Sequence, residues 1–207
     1  MPSEPNKERP FSLLLFYAFC RVFFRLFNSI EVKGQENIPA TGPLIVACNH
    51  LSNADPPALT SSLALVRLPS VIAKKELFSI WPAGWFLRKW GGIPVDRAKG
   101  GGDLRALRGC LTALKKEGCL VIFPEGTRAM GRKLKPKPGV ALMAHKSGAP
   151  VLPVRIFNSD NFSKLGKITI KYGALRRFEP PADGDLKAAY ARFSDTLMSD
   201  IFSIKQE

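Results

Sequence analysis

The segment Asn49-His50-Leu51-Ser52-Asn53-Ala54-Asp55-Pro56 places one of only two histidines in the chain five residues before an aspartate. A carboxylate bonded to one imidazole nitrogen fixes the ring's tautomer, leaves the other nitrogen as a base, and stabilises the imidazolium once a proton has been taken. This is half of a catalytic triad. The missing half is a serine or cysteine nucleophile, since Cys48 on a buried strand reads as packing, so the pair is suited to activating a hydroxyl on a bound substrate. The same residues also have a purely structural use, with Asp55 capping a helix that begins at Pro56 and His50 hydrogen-bonded at a strand end.

The elements around the pair can be read from apolar runs. Leu44-Ile-Val-Ala-Cys48 reads as a buried strand, and Asp55-Pro56-Pro57 as a helix start with proline pre-set for the first turn. A tight loop between them can fold Asp55 back onto His50. A second run, Cys119-Leu-Val-Ile-Phe123, leads into Phe123-Pro124-Glu125-Gly126-Thr127-Arg128. A third stretch, Gly91-Gly92-Ile93-Pro94-Val95-Asp96-Arg97, has the same form. Ligands of open α/β sheets bind beyond the carboxyl ends of strands, so these loops are expected to meet.

In this order the segments resemble the blocks of the glycerolipid acyltransferase family, specifically the 1-acylglycerol-3-phosphate (lysophosphatidate) acyltransferases. Those blocks are a histidine and aspartate with four residues between them, a glycine-rich segment ending in Asp-Arg, Phe-Pro-Glu-Gly-Thr-Arg, and a valine-proline strand, here Val151-Leu152-Pro153-Val154. Together they span about half of the chain, and the ordered set is far more specific than any one block. The departures are Ala129, where the family usually has serine, and Pro138, where lysine is frequent.

The resemblance implies transfer of an acyl chain from an acyl thioester to the 2-hydroxyl of lysophosphatidate, making phosphatidate in phospholipid biosynthesis. His50 is then the base and Asp55 its orienting partner. Arg97 and Arg128 bind the substrate phosphate through charge-assisted bonds, although Asp96 beside Arg97 also allows a structural salt bridge. Glu125, an acceptor only, positions a glycerol hydroxyl or its own loop. Backbone amides near Gly126 and Thr127 are candidate oxyanion donors, because glycine permits close approach. Lys137 matches a lysine position associated with phosphate binding. No metal and no tightly bound cofactor is implied, and the co-substrate is a thioester of coenzyme A or of an acyl carrier protein. The same fold also serves other acceptors, such as glycerol-3-phosphate, another lysophospholipid or an aminolipid.

Composition fits this reading. At 207 residues the chain suits one domain with a substantial core. A formal charge of +14 and a pI near 9.9 call for an acidic partner: anionic lipid, a phosphate-bearing substrate, an acidic acyl carrier protein or nucleic acid. A basic module that only binds membrane or nucleic acid would leave the His50–Asp55 and Glu125–Arg128 pairs unexplained. No zinc-finger or RNA-binding signature is present, so nucleic acid is not expected. Cys20, Cys48, Cys110 and Cys119 lack metal-site spacing and read as buried thiols of a reducing compartment. His145 reads as a surface or packing histidine, and Trp81, Trp85 and Trp90 as tunnel lining, core or interface belt.

Residues 1–30 are expected to form a membrane-associating helix ahead of a single α/β domain over 31–207. Six phenylalanines crowd between Phe11 and Phe27, while Arg21 and Arg25 interrupt the apolar run on one face that Tyr17 and Asn28 roughly join. A spanning helix needs about 20 mostly apolar residues. The pattern therefore predicts an amphipathic helix lying in the interface, arginines near lipid phosphates, with the protein peripheral or monotopic on the cytoplasmic face. The alternative is that this helix packs on the protein's own core. Strands alternate with helices beyond it, which predicts a two-layer α/β sandwich with a largely parallel or mixed sheet.

Overall fold

A computed structural model describes residues 11–89, 91–96, 98, 103–130, 132, 134–182 and 184–206. The elements are α1 (Phe11–Asn28), β1 (Glu31–Lys33), β2 (Leu44–Cys48), α2 (Asp55–Leu63), β3 (Pro69–Lys74), α3 (Ala83–Lys89), β4 (Ile93–Val95), α4 (Leu104–Lys115), β5 (Cys119–Ile122), α5 (Gly139–Ser147), β6 (Val151–Phe157), β7 (Thr169–Tyr172) and α6 (Leu186–Ser203). The strands form one sheet in the order β1-β7-β6-β2-β5-β3-β4. Every pairing is parallel except β6 with β7. Strands β2, β3, β4, β5 and β6 thus point the same way and deliver their following loops to one edge.

The α/β class and the largely parallel, mixed sheet are as the alternation of elements predicts. Layering goes one step further. All five residues of β2 are buried, and successive side chains of a strand reach opposite faces. Leu44, Val46 and Cys48 join one core cluster with residues of α1 and α2, whereas Ile45 and Ala47 join another with residues of α4, α5 and α6. Helices therefore cover both faces, giving three layers where two are expected. A parallel sheet of continuous apolar strands leaves no face that water would tolerate.

Helix ends follow local chemistry. The Asp103 carboxylate accepts from the Arg105 and Ala106 N–H groups at 3.0 and 3.2 Å, starting α4. The segment between β3 and β4 is divided into a 3₁₀ turn, Lys75–Ser79, and the short α3, with Pro82 in the break.

Helix α1 corrects the predicted face. Its buried stripe is Leu13, Tyr17, Cys20, Phe24 and Asn28, a three-to-four-residue repeat that packs against α2 and the sheet. Tyr17 and Asn28 thus lie inside instead of joining Arg21 and Arg25. The Asn28 amide nitrogen is paired there, donating to the Phe162 and Gly166 carbonyls at 3.1 and 3.2 Å. On the outer side Phe11, Leu15, Phe19, Val22 and Leu26 are exposed. By length and composition the helix could also cross a membrane.

The opposite edge of the sheet, where β2, β5 and β3 begin, is tied by Arg67. Its buried guanidinium donates through Nη1 to the Pro39 and Thr41 carbonyls, at 2.9 and 3.2 Å, and through Nη2 to those of Gly42 and Glu117. One planar fork satisfies four loop carbonyls.

Candidate active site

The loop after β2 carries His50. Before it, Asn49 is buried and extends the β2–β6 pairing with its side chain, donating to the Ile156 carbonyl at 3.0 Å and accepting from the Ile156 N–H at 2.8 Å. The amide group imitates one more peptide of strand, which frees the backbone to turn immediately afterwards. His50 Nδ1 lies 2.7 Å from Asp55 Oδ2. The same oxygen accepts from the Leu51 and Ser52 N–H groups at 2.7 and 2.8 Å. Asp55 is fully buried, and the two backbone donors make its Oδ2 an acceptor. Nδ1 must carry the proton it shares with Asp55, so Nε2 is the basic nitrogen. The Phe123 ring stacks on the imidazole with centroids 4.3 Å apart and planes 26° from parallel, fixing its plane.

The loop after β5 is fastened to the same histidine. Glu125 Oε1 accepts from the His50 N–H at 3.2 Å, and the Ala129 N–H donates to the His50 carbonyl at 2.8 Å. Burial raises the Glu125 carboxyl above its ordinary range, opposed by the bond from the His50 N–H. Among the described residues, Asp55 Oδ1 and Glu125 Oε2 are buried without a hydrogen-bond partner. Carboxyl oxygens left unpaired in this way are costly, and such costs are often retained at functional sites.

Gly126 adopts φ +72°. A Cβ there would lie 2.7 Å from Lys137 Cε and 3.1 Å from its Nζ, so the missing side chain makes room for the lysine to lie across the turn. The Gly126 N–H donates to the Phe123 carbonyl at 3.0 Å and closes that turn, which leaves the neighbouring Thr127 N–H as the better oxyanion donor of the two. Thr127, Arg128 and Lys137 are exposed, and Arg128 has no ion pair among the described residues. Arg97 lies outside the described residues. Its neighbour Asp96 meets Lys75 at 2.6 Å, at the shared edge where β3 and β4 end.

Beside this edge is an open groove of about 750 Å³, whose wall includes Leu51, Ser52, Asn53 and Ala54 from the His50–Asp55 loop, Arg128, and Phe16, Phe19 and Phe23 of α1. A smaller apolar pocket of about 330 Å³ lies between α1, α2 and α3. Trp81 and Trp85 line neither. The four cysteines are buried and unpaired, and burial holds the Cys48 thiol well above its ordinary range. His145 meets the Tyr190 hydroxyl at 2.7 Å and the Phe178 ring, away from the site, as a packing histidine. The parts not foreseen are Asn49 and Phe123. Asn49 could have been noticed as an amide directly after a fully apolar strand; Phe123 reads simply as the end of one.

A family model described as Acyltransferase matches residues 29–157, more than half of the chain, and the chain belongs to that acyltransferase family. The relatives it resembles carry a narrower name. A chloroplastic 1-acyl-sn-glycerol-3-phosphate acyltransferase of Brassica napus is 30% identical over 142 residues, 68% of this chain and 40% of that protein. The 1-acyl-sn-glycerol-3-phosphate acyltransferase of Bacillus subtilis is 33% identical over 144 residues, 66% of this chain and 69% of that protein. The crystal structure of the 1-acyl-sn-glycerophosphate acyltransferase PlsC from Thermotoga maritima superposes with a TM-score of 0.71 at 28% identity, covering 96% of this chain and 82% of that one. The chain spans about two fifths of the length of the chloroplastic relatives it matches.

Proposed function

We propose that this chain transfers an acyl group from an acyl thioester to the 2-hydroxyl of lysophosphatidate, yielding phosphatidate at a membrane surface. The observation that carries this reading is the 2.7 Å His50–Asp55 pair without a protein nucleophile beside it. Burial holds the Cys48 thiol protonated, and among the described residues the only side-chain hydrogen-bond partner of the His50 ring is Asp55. The proton that His50 removes therefore comes from the acceptor. Nε2 takes it as the acceptor oxygen attacks the thioester carbonyl carbon, and Asp55 stabilises the resulting imidazolium. The tetrahedral oxyanion, met by the Thr127 N–H, then collapses. The carbon–sulfur bond breaks, and the leaving thiolate takes the proton back from the imidazolium. His50 ends as it began, so the proposed cycle needs neither metal nor bound cofactor.

Arg128 and Lys137, with Arg97 by resemblance, would receive the phosphate, and Glu125 would hold the loop or a glycerol hydroxyl. The apolar groove beside the His50 loop is of a size and character to take an acyl chain. The names of the relatives support the acceptor assignment. The +14 charge suits an anionic donor, whether coenzyme A or an acidic acyl carrier protein, and an anionic membrane on whose cytoplasmic face the protein would sit. The test is to assay the full chain with matched thioesters of both carriers against lysophosphatidate, other lysophospholipids and glycerol-3-phosphate. Turnover should be greatest with lysophosphatidate; preference for another acceptor would reassign the substrate. Arg128→Ala should lose roughly 10- to 100-fold on lysophosphatidate and little on its dephosphorylated analogue. Equal losses would make Arg128 structural.

A further inference from the structure

Trp81 is 84% exposed, the most exposed of the large hydrophobic side chains described. It sits in the connection between β3 and β4, and it is not alone: Leu77, Ile80 and Trp85 from the same connection are exposed too. Single exposed apolar residues are ordinary, but a cluster containing two tryptophans marks a surface meant to be covered. Two cations flank it. Lys89 lies over the Trp85 ring at 4.6 Å, and Arg88 is anchored to the Phe78 carbonyl. Aromatic side chains with lysine or arginine at their margin are the composition of a membrane–water interface, where an amphipathic ring sits at headgroup level.

Position supports the same partner. The Phe86 ring of α3 stacks on Phe16 of α1 at 6.5 Å, so the tryptophan-bearing connection is joined to the helix whose outer side exposes Phe11, Leu15 and Phe19. The open groove is walled by Phe16 and Phe19, at the same margin. We propose that the Leu77–Trp85 connection is a second membrane-insertion point, working beside α1. Its wedge of Leu77, Ile80, Trp81 and Trp85 enters the headgroup region of an anionic bilayer, and two separated contacts fix the tilt of the groove toward the lipid. One helix lying alone in an interface can roll about its axis; adding a contact off that axis removes the freedom. This inference rests on the reading that the acceptor is drawn from a membrane.

The experiment uses the full chain with Trp85→Phe and Trp90→Phe, which leaves Trp81 as the sole tryptophan. Vesicles of phosphatidylcholine mixed with phosphatidylglycerol, brominated on their acyl chains, should shift its emission to the blue, quench it and protect it from aqueous iodide. Trp81→Glu in the natural background should weaken vesicle binding about tenfold, as expected for losing one large buried aromatic contact. Its turnover on dispersed, short-chain lysophosphatidate should be unchanged. Persistent iodide access to Trp81 on vesicle-bound protein overturns the proposal. So does failure to sediment with anionic vesicles, or protection that arises from self-association or an acyl carrier protein without lipid. The fluorescence does not depend on turnover, so it separates failure of this contact from failure of the acyl-transfer reading.

Discussion

The two edges of the sheet both bury charge, yet they treat it in opposite ways. At the edge where β2, β3 and β5 begin, the Arg67 guanidinium is spent entirely on the backbone, donating to four carbonyls. At the edge where β2 and β5 end, His50, Asp55 and Glu125 hold one another in place, while Asp55 Oδ1 and Glu125 Oε2 are left without partners among the described residues. A saturated buried charge stabilises one conformation. An unsaturated cluster keeps bonding capacity for something that arrives later. The contrast separates structure from chemistry more cleanly than burial does, since Arg67 and His50 are nearly equally buried.

The contrast breaks most visibly if the histidine is removed. His50→Ala should lower turnover by roughly 10²–10⁴-fold, the range for a positioned proton acceptor, with the thermal transition hardly moved. Asp55→Asn should also be severe, since Oδ2 accepts from Nδ1 and from two backbone amides, and an amide side chain can stabilise the wrong tautomer. Near-normal turnover in a folded His50→Ala protein would end the assignment of the base.

At the other edge the sign of the effect reverses. Arg67→Ala should cost about 3 kcal/mol of stability, read from the urea midpoint, because charge-assisted bonds to four loop carbonyls are lost. Turnover per folded molecule should be unchanged. Arg67→Lys should recover only part, since an ammonium lacks the planar fork. A stable Arg67→Ala protein with low activity would overturn the division between the edges.

The smallest effect sharpens the comparison. Glu125→Gln keeps an oxygen to accept the His50 N–H and removes a buried charge, so it should gain about 1 kcal/mol of stability near neutral pH while reducing turnover. The folded state holds the Glu125 proton more tightly than the unfolded state does. The natural protein should therefore lose stability as pH rises from the ordinary glutamate value of 4.5 through the raised one. The Gln variant should lack that loss. Identical pH profiles would mean that Glu125 is not strained by burial.

How much of this was legible depends on the range over which each feature is decided. The His50–Asp55 pair could be read directly because five residues and one turn set it, with an apolar strand before and Pro56 after. The link from His50 to Glu125 and Ala129 could only be expected as proximity, since it depends on β2 and β5 being adjacent in register. Arg67 was invisible because, in Val66-Arg67-Leu68, nothing distinguishes a buried clamp from a solvated cation. Helix α1 misled on orientation because phenylalanines surround it. With apolar residues on every side, which stripe faces inward is decided by the partner, here α2 and the sheet.

The side-chain amide of Asn49 has a consequence for how activity is acquired as the chain folds. It bonds to Ile156, 107 residues away, and His50 is tied to Glu125, 75 residues away. The two links can both be closed only once β2 has found both of its neighbours, β6 for the first and β5 for the second, in the middle of the sheet. Contacts of such long sequence separation form late relative to local helices. During refolding, helical signal should therefore return before catalytic competence, and a nascent chain stopped short of β6 would possess every proposed catalytic side chain and still be inert.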